Sequence, residues 1–196
     1  MPSLPIRPAT PADVPAITAI YQPYVAHTTA SFETVVLTEA AMAQRMARYN
    51  GQFPWLVYQA GAEVLGYCYA SPLSERGGYA WSAAASIYVR EGSQRGGMGR
   101  ALYAGLIALL AAQGYRALYG ILASPNMASV RFHEAMGFRR EGLLTHAGYK
   151  FGRPIGVSYY AKDLLPVAED PPPPRPFASL SKSEVDALLR QALGQA

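Results

Sequence analysis

Three glycines crowd into the stretch Ser93-Gln94-Arg95-Gly96-Gly97-Met98-Gly99-Arg100-Ala101-Leu102, between an apolar run, SIYV at 86–89, and a long apolar-periodic segment, ALYAGLIALLAAQG. Glycine disfavours a helix, so its concentration at a strand-to-helix junction marks a backbone that bends sharply or approaches something closely. Such a turn aims several N–H groups at one spot beside the positive end of a helix dipole, an arrangement that suits a phosphate. Two common phosphate loops are excluded. A Walker A loop ends in Gly-Lys-Ser/Thr, whereas Gly99 is followed by Arg100-Ala101. A dinucleotide fingerprint follows an early strand and is answered by an acid about twenty residues on; position and spacing both fail here.

Around this turn the apolar periodicity alternates between strand and helix. Residues 4–9 read as a short strand, and Thr10-Pro11-Ala12-Asp13 as a helix start: Thr at the N-cap, Pro at N1 and Asp closing a box-like cap. That helix is expected to reach about Tyr24, and a second, capped by Thr38, to stop near Gly51. Strand-like runs follow at 54–60, 63–72 and 79–90, the first two joined by a Gly61-Ala62 hairpin. The helix 98–113 ends at Gly114, a strand covers 115–123, a short helix 126–136 stops at Gly137, and FRREGLLTHAGYK and GVSYYAKDL supply two more strands. This order predicts an α/β domain over 1–164. A Pro-rich linker, 165–180, leads to a segment at 181–196 that opens on the capping box Ser181-Lys182-Ser183-Glu184 and puts Val185, Leu188, Leu189, Ala192 and Leu193 on one face. That apolar stripe needs a partner: its own domain, a second copy or another protein.

Composition removes several functional classes. At 51% hydrophobic and 15% charged residues the chain is globular rather than disordered. Its net charge of +4 is scattered, with only small clusters such as Arg139-Arg140, so no nucleic-acid partner is expected. A lone cysteine, Cys68, excludes a disulfide framework within the chain, and its apolar setting makes it a core residue. No signal peptide and no membrane span are expected, and no His, Cys, Asp or Glu cluster has metal-ligand spacing. Cytoplasmic residence follows as the default.

The turn Gln94-Arg95-Gly96-Gly97-Met98-Gly99 matches the Q/R-x-x-G-x-G/A pattern that binds pyrophosphate in the GNAT acetyltransferases. Asn126-Met127-Ala128-Ser129-Val130-Arg131-Phe132-His133-Glu134-Ala135-Met136-Gly137-Phe138 resembles the second motif of that family, at the expected distance. The segments RPATPADVPAI, FETVVLTE, FPWLVYQAGAEVLGYCYASPL, SIYVREGSQRGGMGRALY and GLLTHAGYKFGR narrow the resemblance to the phosphinothricin and methionine sulfoximine group, across about residues 4–164. The resemblance implies a GNAT fold: a mixed, mostly antiparallel sheet of about seven strands, splayed where coenzyme A binds and flanked by about four helices. It also implies acetyl-CoA as cosubstrate, a small-molecule amine as acceptor and a homodimer.

Carried over residue by residue, backbone amides of Gln94, Arg95, Gly96, Gly97, Met98 and Gly99 would cradle the pyrophosphate, with Arg95 and Arg100 as side-chain contacts. Ile87, Tyr88 and Val89 belong to the strand whose free backbone would pair with pantetheine. Asn126 and Ser129 would lie beside the pantetheine arm; a plain N-cap role is the other reading of Asn126. His133 stands where the family carries an acid for the departing thiolate, and is the catalytic candidate. Phe32, Arg76, Tyr79, Tyr88 and Lys150 match acceptor-side positions, Arg76 being suited to hold a carboxylate or phosphinate in its fork.

The chain departs from its relatives at the expected general base. Where that group has Trp-x-x-Glu-Ser, this chain reads Trp81-Ser82-Ala83-Ala84-Ala85-Ser86, and no carboxylate stands between Glu75 and Glu91. The Gly-Trp-x-Asp pattern is replaced by Gly152-Arg153-Pro154-Ile155-Gly156. Loss of a general base lowers rates by about 10²–10⁴-fold. Water, a substitute such as His27 or Tyr149, or an acceptor amine of low pKa would each restore part of it. The expectation is therefore an N-acetyltransferase for an amino-acid-like amine, with a different amine or a non-catalytic coenzyme A-binding module as alternatives.

Overall fold

The computed structural model describes residues 4–49, 51–93 and 96–194. Its strands are β1 (Ile6–Pro8), β2 (Trp55–Ala60), β3 (Glu63–Pro72), β4 (Ser82–Val89), β5 (Ala117–Ser124), β6 (Arg139–Lys150) and β7 (Arg153–Asp163). They form one sheet in the order β1-β2-β3-β4-β5-β7-β6. All neighbours are antiparallel except β4 and β5, which run parallel. The helices are α1 (Val14–His27), α2 (Glu39–Tyr49), α3 (Met98–Gln113), α4 (Met127–Ala135) and α5 (Lys182–Gly194).

The period of two along the strands divides the core between the sheet's faces. On one face Trp55, Val57 and Tyr67 pack with Ile17, Tyr21 and Val25 of α1 and Met42 and Met46 of α2. On the other, Leu56, Cys68, Ala83, Ala85 and Leu118 meet Leu102, Tyr103, Leu106 and Leu110 of α3. Cys68 is fully buried, its thiol donates to the Leu102 carbonyl, and burial pushes its pKa well up, so it is inert packing.

The C-terminal stripe docks on its own chain. Val185 and Leu189 of α5 are buried in the α3 cluster, and the Pro-rich segment is fastened by Trp81 Nε1–H donating to the Pro172 carbonyl and Gln113 Nε2–H donating to the Arg175 carbonyl. Gly105 of α3 makes room: a Cβ there would lie 2.7 Å from Ile6 Cδ1 and 2.9 Å from Leu189 Cδ2.

Two elements differ from the sequence reading. The run 79–90 begins as a strand only at Ser82, because Gly77–Tyr79 closes a tight turn in which the Ala80 N–H reaches the Gly77 carbonyl. The last strand starts earlier, at Arg153, across a two-residue turn whose Phe151 (φ 52°) and Gly152 (φ 72°) both take the left-handed conformation of a tight hairpin. Pro154 is tolerated because β5 pairs with β7 only from Gly156 onward, leaving no ladder partner to demand its missing N–H.

The expected cap of the first helix is built around Asp13. Its carboxylate accepts from Arg7 Nη1 and Nη2 at 2.8 Å each, from the Thr10 N–H at 2.7 Å and from the Thr10 hydroxyl at 2.9 Å. The hydrogen bonds from Arg7 lead in holding its pKa down at about 2. A carboxylate depressed in the fold stabilises it fully above the unfolded pKa, near 3.9, and loses that contribution as pH falls towards the folded value. Asp13→Asn is expected to lower stability by about 2 kcal/mol at pH 7. In urea melts, the gap between wild type and variant should close between about pH 4 and pH 2.

Candidate active site

The parallel pair β4 and β5 is joined only through Ser82–Ala85 and Ala117–Gly120. Beyond Ala85 the strands part, and a cleft of about 650 Å³ opens between Ser86–Val89 of β4 and Ile121–Ala123 of β5. In the β3–β4 register alternate β4 peptides face away from β3; the Arg90 N–H, next in the other set, bonds the Leu65 carbonyl. The Ile87 and Val89 peptides therefore face the opening. Ile87 has no strand neighbour on that side, while the Val89 carbonyl accepts from the Tyr24 hydroxyl of α1 at 2.6 Å.

The glycine turn stands at the mouth of this cleft. Gly96 (φ 145°) and Gly97 (φ 76°) hold conformations that side-chain-bearing residues avoid, and Gly97 is the N-cap from which α3 runs for 16 residues. Gly97, Met98, Gly99 and Arg100 line the cleft; Gln94 and Arg95 lie outside the described residues. Gly99 is tight for a different reason: a Cβ there would lie 3.2 Å from the Phe132 ring of α4.

Asn126 and Ser129 both line the cleft wall. Asn126 caps α4, its Oδ1 accepting from the Ser129 N–H at 3.1 Å, so it combines the cap role with a place in the cleft. His133, one turn on, is 2% exposed. Its Nδ1 is 2.8 Å from the Ser129 carbonyl, an acceptor, so the proton sits on Nδ1. Its Nε2, 3.0 Å from the Tyr103 hydroxyl, then accepts from it. Burial lowers the His133 pKa, against a smaller upward pull from the Ser129 carbonyl, so the ring stays neutral at pH 7. Tyr103 is fully buried, and burial pushes its phenol far up. Gly120 of β5 leaves the space that the imidazole fills: a Cβ would lie 2.6 Å from both His133 Cδ2 and Nε2. Tyr103, Gly120 and Tyr24 were not singled out in the sequence, since each takes its meaning from a contact across the fold.

The acceptor-side candidates do not all gather at the cleft. Tyr88 lines it and packs edge-on against Tyr21 and Tyr24, at 4.7 and 5.1 Å between centroids. Phe32 is partly exposed and lies over Gly148 of β6. Arg76 and Tyr79 are exposed in the loop before β4. Lys150 is buried away from the cleft lining, where its Nζ donates to the Ser31 carbonyl at 2.7 Å; burial lowers its pKa. It thus clips the loop after α1 to the end of β6. Ala84 sits opposite Ser71 on β3 and Tyr119 on β5, and no carboxylate lines the cleft among the described residues. His27 and Tyr149 are surface groups outside that lining.

The cleft thus offers an anion-binding helix start at its mouth, an open strand edge along its length and a buried tyrosine–histidine pair in its wall. Comparison with known proteins agrees. The model of the acetyltransferase (GNAT) domain matches residues 6–157. A phosphinothricin N-acetyltransferase of Streptomyces viridochromogenes is 37% identical over 90% of this chain and 94% of its own. An L-methionine sulfoximine/L-methionine sulfone acetyltransferase of Pseudomonas paraeruginosa is 34% identical over 85% of this chain and 98% of its own. Among solved structures, a phosphinothricin acetyltransferase from Sinorhizobium meliloti in complex with AcCoA superposes with a TM-score of 0.81 at 29% identity, covering 89% of this chain and 98% of that one.

Proposed function

Because the chain belongs to the GNAT acetyltransferase family and is an acetyl-CoA-dependent N-acetyltransferase, we propose that it acetylates the amine of a small amino-acid-like acceptor by direct attack on the thioester. The observation that carries this reading is the cleft between the diverging β4 and β5, with the α3 N-terminus at its mouth.

In this reading the Gly96–Gly99 turn and Arg100 hold the pyrophosphate, the Ile87 peptide pairs with pantetheine, and the thioester lies near the point where β4 and β5 part. A neutral amine attacks the carbonyl carbon and the C–S bond breaks. The proton shed by the amine ends on the departing sulfur, giving amide and free thiol. His133 is neutral in the fold, so it shuttles a proton rather than storing one: Nε2, released by Tyr103, takes the amine's proton directly or through one water and returns it to sulfur. A cytoplasmic homodimer is the expected setting, and the exposed Leu143 and Leu144 on the edge strand β6 support the homodimer.

Ala84 favours a second reading of the acceptor, as an amine other than phosphinothricin or methionine sulfoximine, and one of lowered pKa. With no carboxylate in the cleft, the free amine fraction sets the rate. Release of coenzyme A thiol should be measured with phosphinothricin, methionine sulfoximine, other amino acids, polyamines and short peptides between pH 6.5 and 9.5. Turnover is expected to climb with pH up to the acceptor's own pKa, near 8 for a peptide α-amine and near 10.4 for a lysine. Ala84→Glu should flatten that climb and raise turnover at pH 7 by about 10²-fold. A rate that levels off well below the amine pKa in the wild type would mean that a protein group deprotonates the ammonium before it attacks, rather than His133 taking the proton of an amine that arrives neutral. Silence on the whole panel, with acetyl-CoA still bound, would favour a coenzyme-binding module over an enzyme.

A further inference from the structure

The edge of β4 that faces the cleft is only partly open. Beyond the parting from β5, Ile87 and Val89 turn both N–H and C=O towards the cleft, away from β3. Ile87 has no strand neighbour there. At Val89 both groups meet a single atom. The Tyr24 hydroxyl of α1 donates to the Val89 carbonyl at 2.6 Å and accepts from the Val89 N–H at 3.4 Å. One side-chain hydroxyl thus stands where a neighbouring strand would.

An unpaired strand edge is a template for unwanted pairing, and proteins commonly blunt it with a side chain or a cover. Tyr24 is placed to do this for β4. Its ring rests edge-on against Tyr88, 5.1 Å between centroids, and lines the cleft together with Val89. It is half-buried at the cleft wall, so its hydroxyl can leave Val89 without opening the core.

The coenzyme needs the same groups. With the pyrophosphate on the Gly96–Gly99 turn and the thioester where β4 and β5 part, the pantetheine arm runs along β4 between Val89 and Ala85. At the usual rise per residue that path is about 13 Å long. The arm carries two amides, and the edge offers two residues with outward-facing peptides, of which Val89 is nearer the turn. Because the hydroxyl touches both groups of Val89, an amide pairs there only by taking its place.

We propose that Tyr24 guards the coenzyme-binding edge: its hydroxyl holds the Val89 peptide before the coenzyme binds and is displaced when an amide of the pantetheine arm pairs there. The proposal rests on the acetyltransferase reading and adds a residue that sets coenzyme affinity without touching the pyrophosphate or the reacting atoms. Binding exchanges one hydrogen bond for another instead of filling a free edge. The tyrosine therefore lowers affinity and speeds the departure of spent coenzyme A.

Tyr24→Phe tests this, since it keeps the ring against Tyr88 and removes only the hydroxyl. Calorimetry is expected to show coenzyme A bound about fivefold more tightly by the variant, the size of effect one exchanged hydrogen bond produces. Stopped-flow measurements should show correspondingly slower release. The control is 3′-phospho-ADP, which has the pyrophosphate but no arm; its affinity should be the same for both proteins. In the wild type, the Tyr24 hydroxyl proton is identified in NMR spectra by its loss in the variant. Its signal should shift or vanish on saturation with coenzyme A and persist with 3′-phospho-ADP. Coenzyme A binding that is unchanged or weaker in Tyr24→Phe overturns the proposal, as does a hydroxyl signal that coenzyme A leaves in place. Equal tightening of both ligands would put the effect at the turn and overturn it too. Each of these results leaves the acetyltransferase reading standing. Failure of the wild type to bind coenzyme A at all would remove that reading, and the guard with it.

Discussion

Replacing Gly97 with valine is expected to weaken acetyl-CoA binding by about 10²–10³-fold while leaving the protein folded. Gly97 holds φ 76° and ψ −1° at the N-cap of α3, in the left-handed region. For a β-branched residue that conformation is an outlier costing about 1–3 kcal/mol, so valine drives the backbone out of it. Among the described residues nothing lies within 4 Å of a Cβ built there, so the added β-carbon meets no neighbour. The damage falls on the direction of the turn's N–H groups. A charge-assisted hydrogen bond to a phosphate oxygen is worth about 1.5–3 kcal/mol, and misaiming one or two of them accounts for the predicted loss. Calorimetry with acetyl-CoA reads the affinity, and a thermal melt of the unliganded variant reads the fold. Unchanged affinity would remove the pyrophosphate from this turn. Gly97→Ala should fall between wild type and valine, since alanine enters the left-handed region at a smaller cost.

The features legible in the sequence are those whose cause is local. Gly114, at the end of α3, takes the positive φ that its place after the helix implied, and Gly97 at the other end also holds a positive φ within the expected glycine turn. Asp13 and Glu184 close their caps over the backbone N–H groups of Thr10 and Ser181. Gly61 turns the β2–β3 hairpin. Chain order and periodicity predicted an α/β domain; the mixed sheet was implied by the family resemblance, and its parallel β4–β5 pair is what a helical crossover produces, since it returns a strand parallel to the one it left.

What escaped the sequence depends on residues distant along the chain. Lys150 resembles an acceptor-side residue in its GYK context, yet its ammonium is spent on a carbonyl 119 residues away. Tyr103 reads as one more apolar position on the buried stripe of α3; only packing brings its hydroxyl to His133. Gly120 looks like a weak point in a strand until the ring behind it is seen. Trp55 is unremarkable in an apolar run, and that its buried N–H has no acceptor among the described residues is decided by packing rather than by PWLVY. Local rules set turns and caps, but which polar atom meets which across the sheet is decided by register and packing.

Gly120→Ala is expected to lower turnover by about 10²-fold with little change in the KM for acetyl-CoA, and to cost about 1–3 kcal/mol of stability. A methyl group at Gly120 meets the His133 ring at 2.6 Å, too close for ring and strand both to stay in place. Tyr103, Phe132 and Phe138 surround it with centroids between 5.1 and 5.5 Å or at 5.9 Å from one another or from the imidazole, and Tyr160 closes a further side at 6.4 Å. The imidazole is rigid, so it must rotate out of its place or push β5 away, and either motion breaks the 3.0 Å contact to Tyr103. A shift of about 1 Å at a group that handles the reacting proton is enough for the predicted loss. The pyrophosphate turn and the Ile87 peptide lie on other elements, so coenzyme affinity should hold. The pH dependence of folding gives a second readout. His133 has a lower pKa in the fold than in the unfolded chain, so it costs no stability above pH 6.5 and weakens the fold progressively as pH drops below that value. Freed towards solvent by Gly120→Ala, the ring regains an ordinary pKa and this acid-side loss shrinks. His133→Gln should lose turnover without the overpacking cost. If Gly120→Ala retained full turnover while His133→Gln also did, the ring would be filling space behind β5 and the proton would be moving by another route.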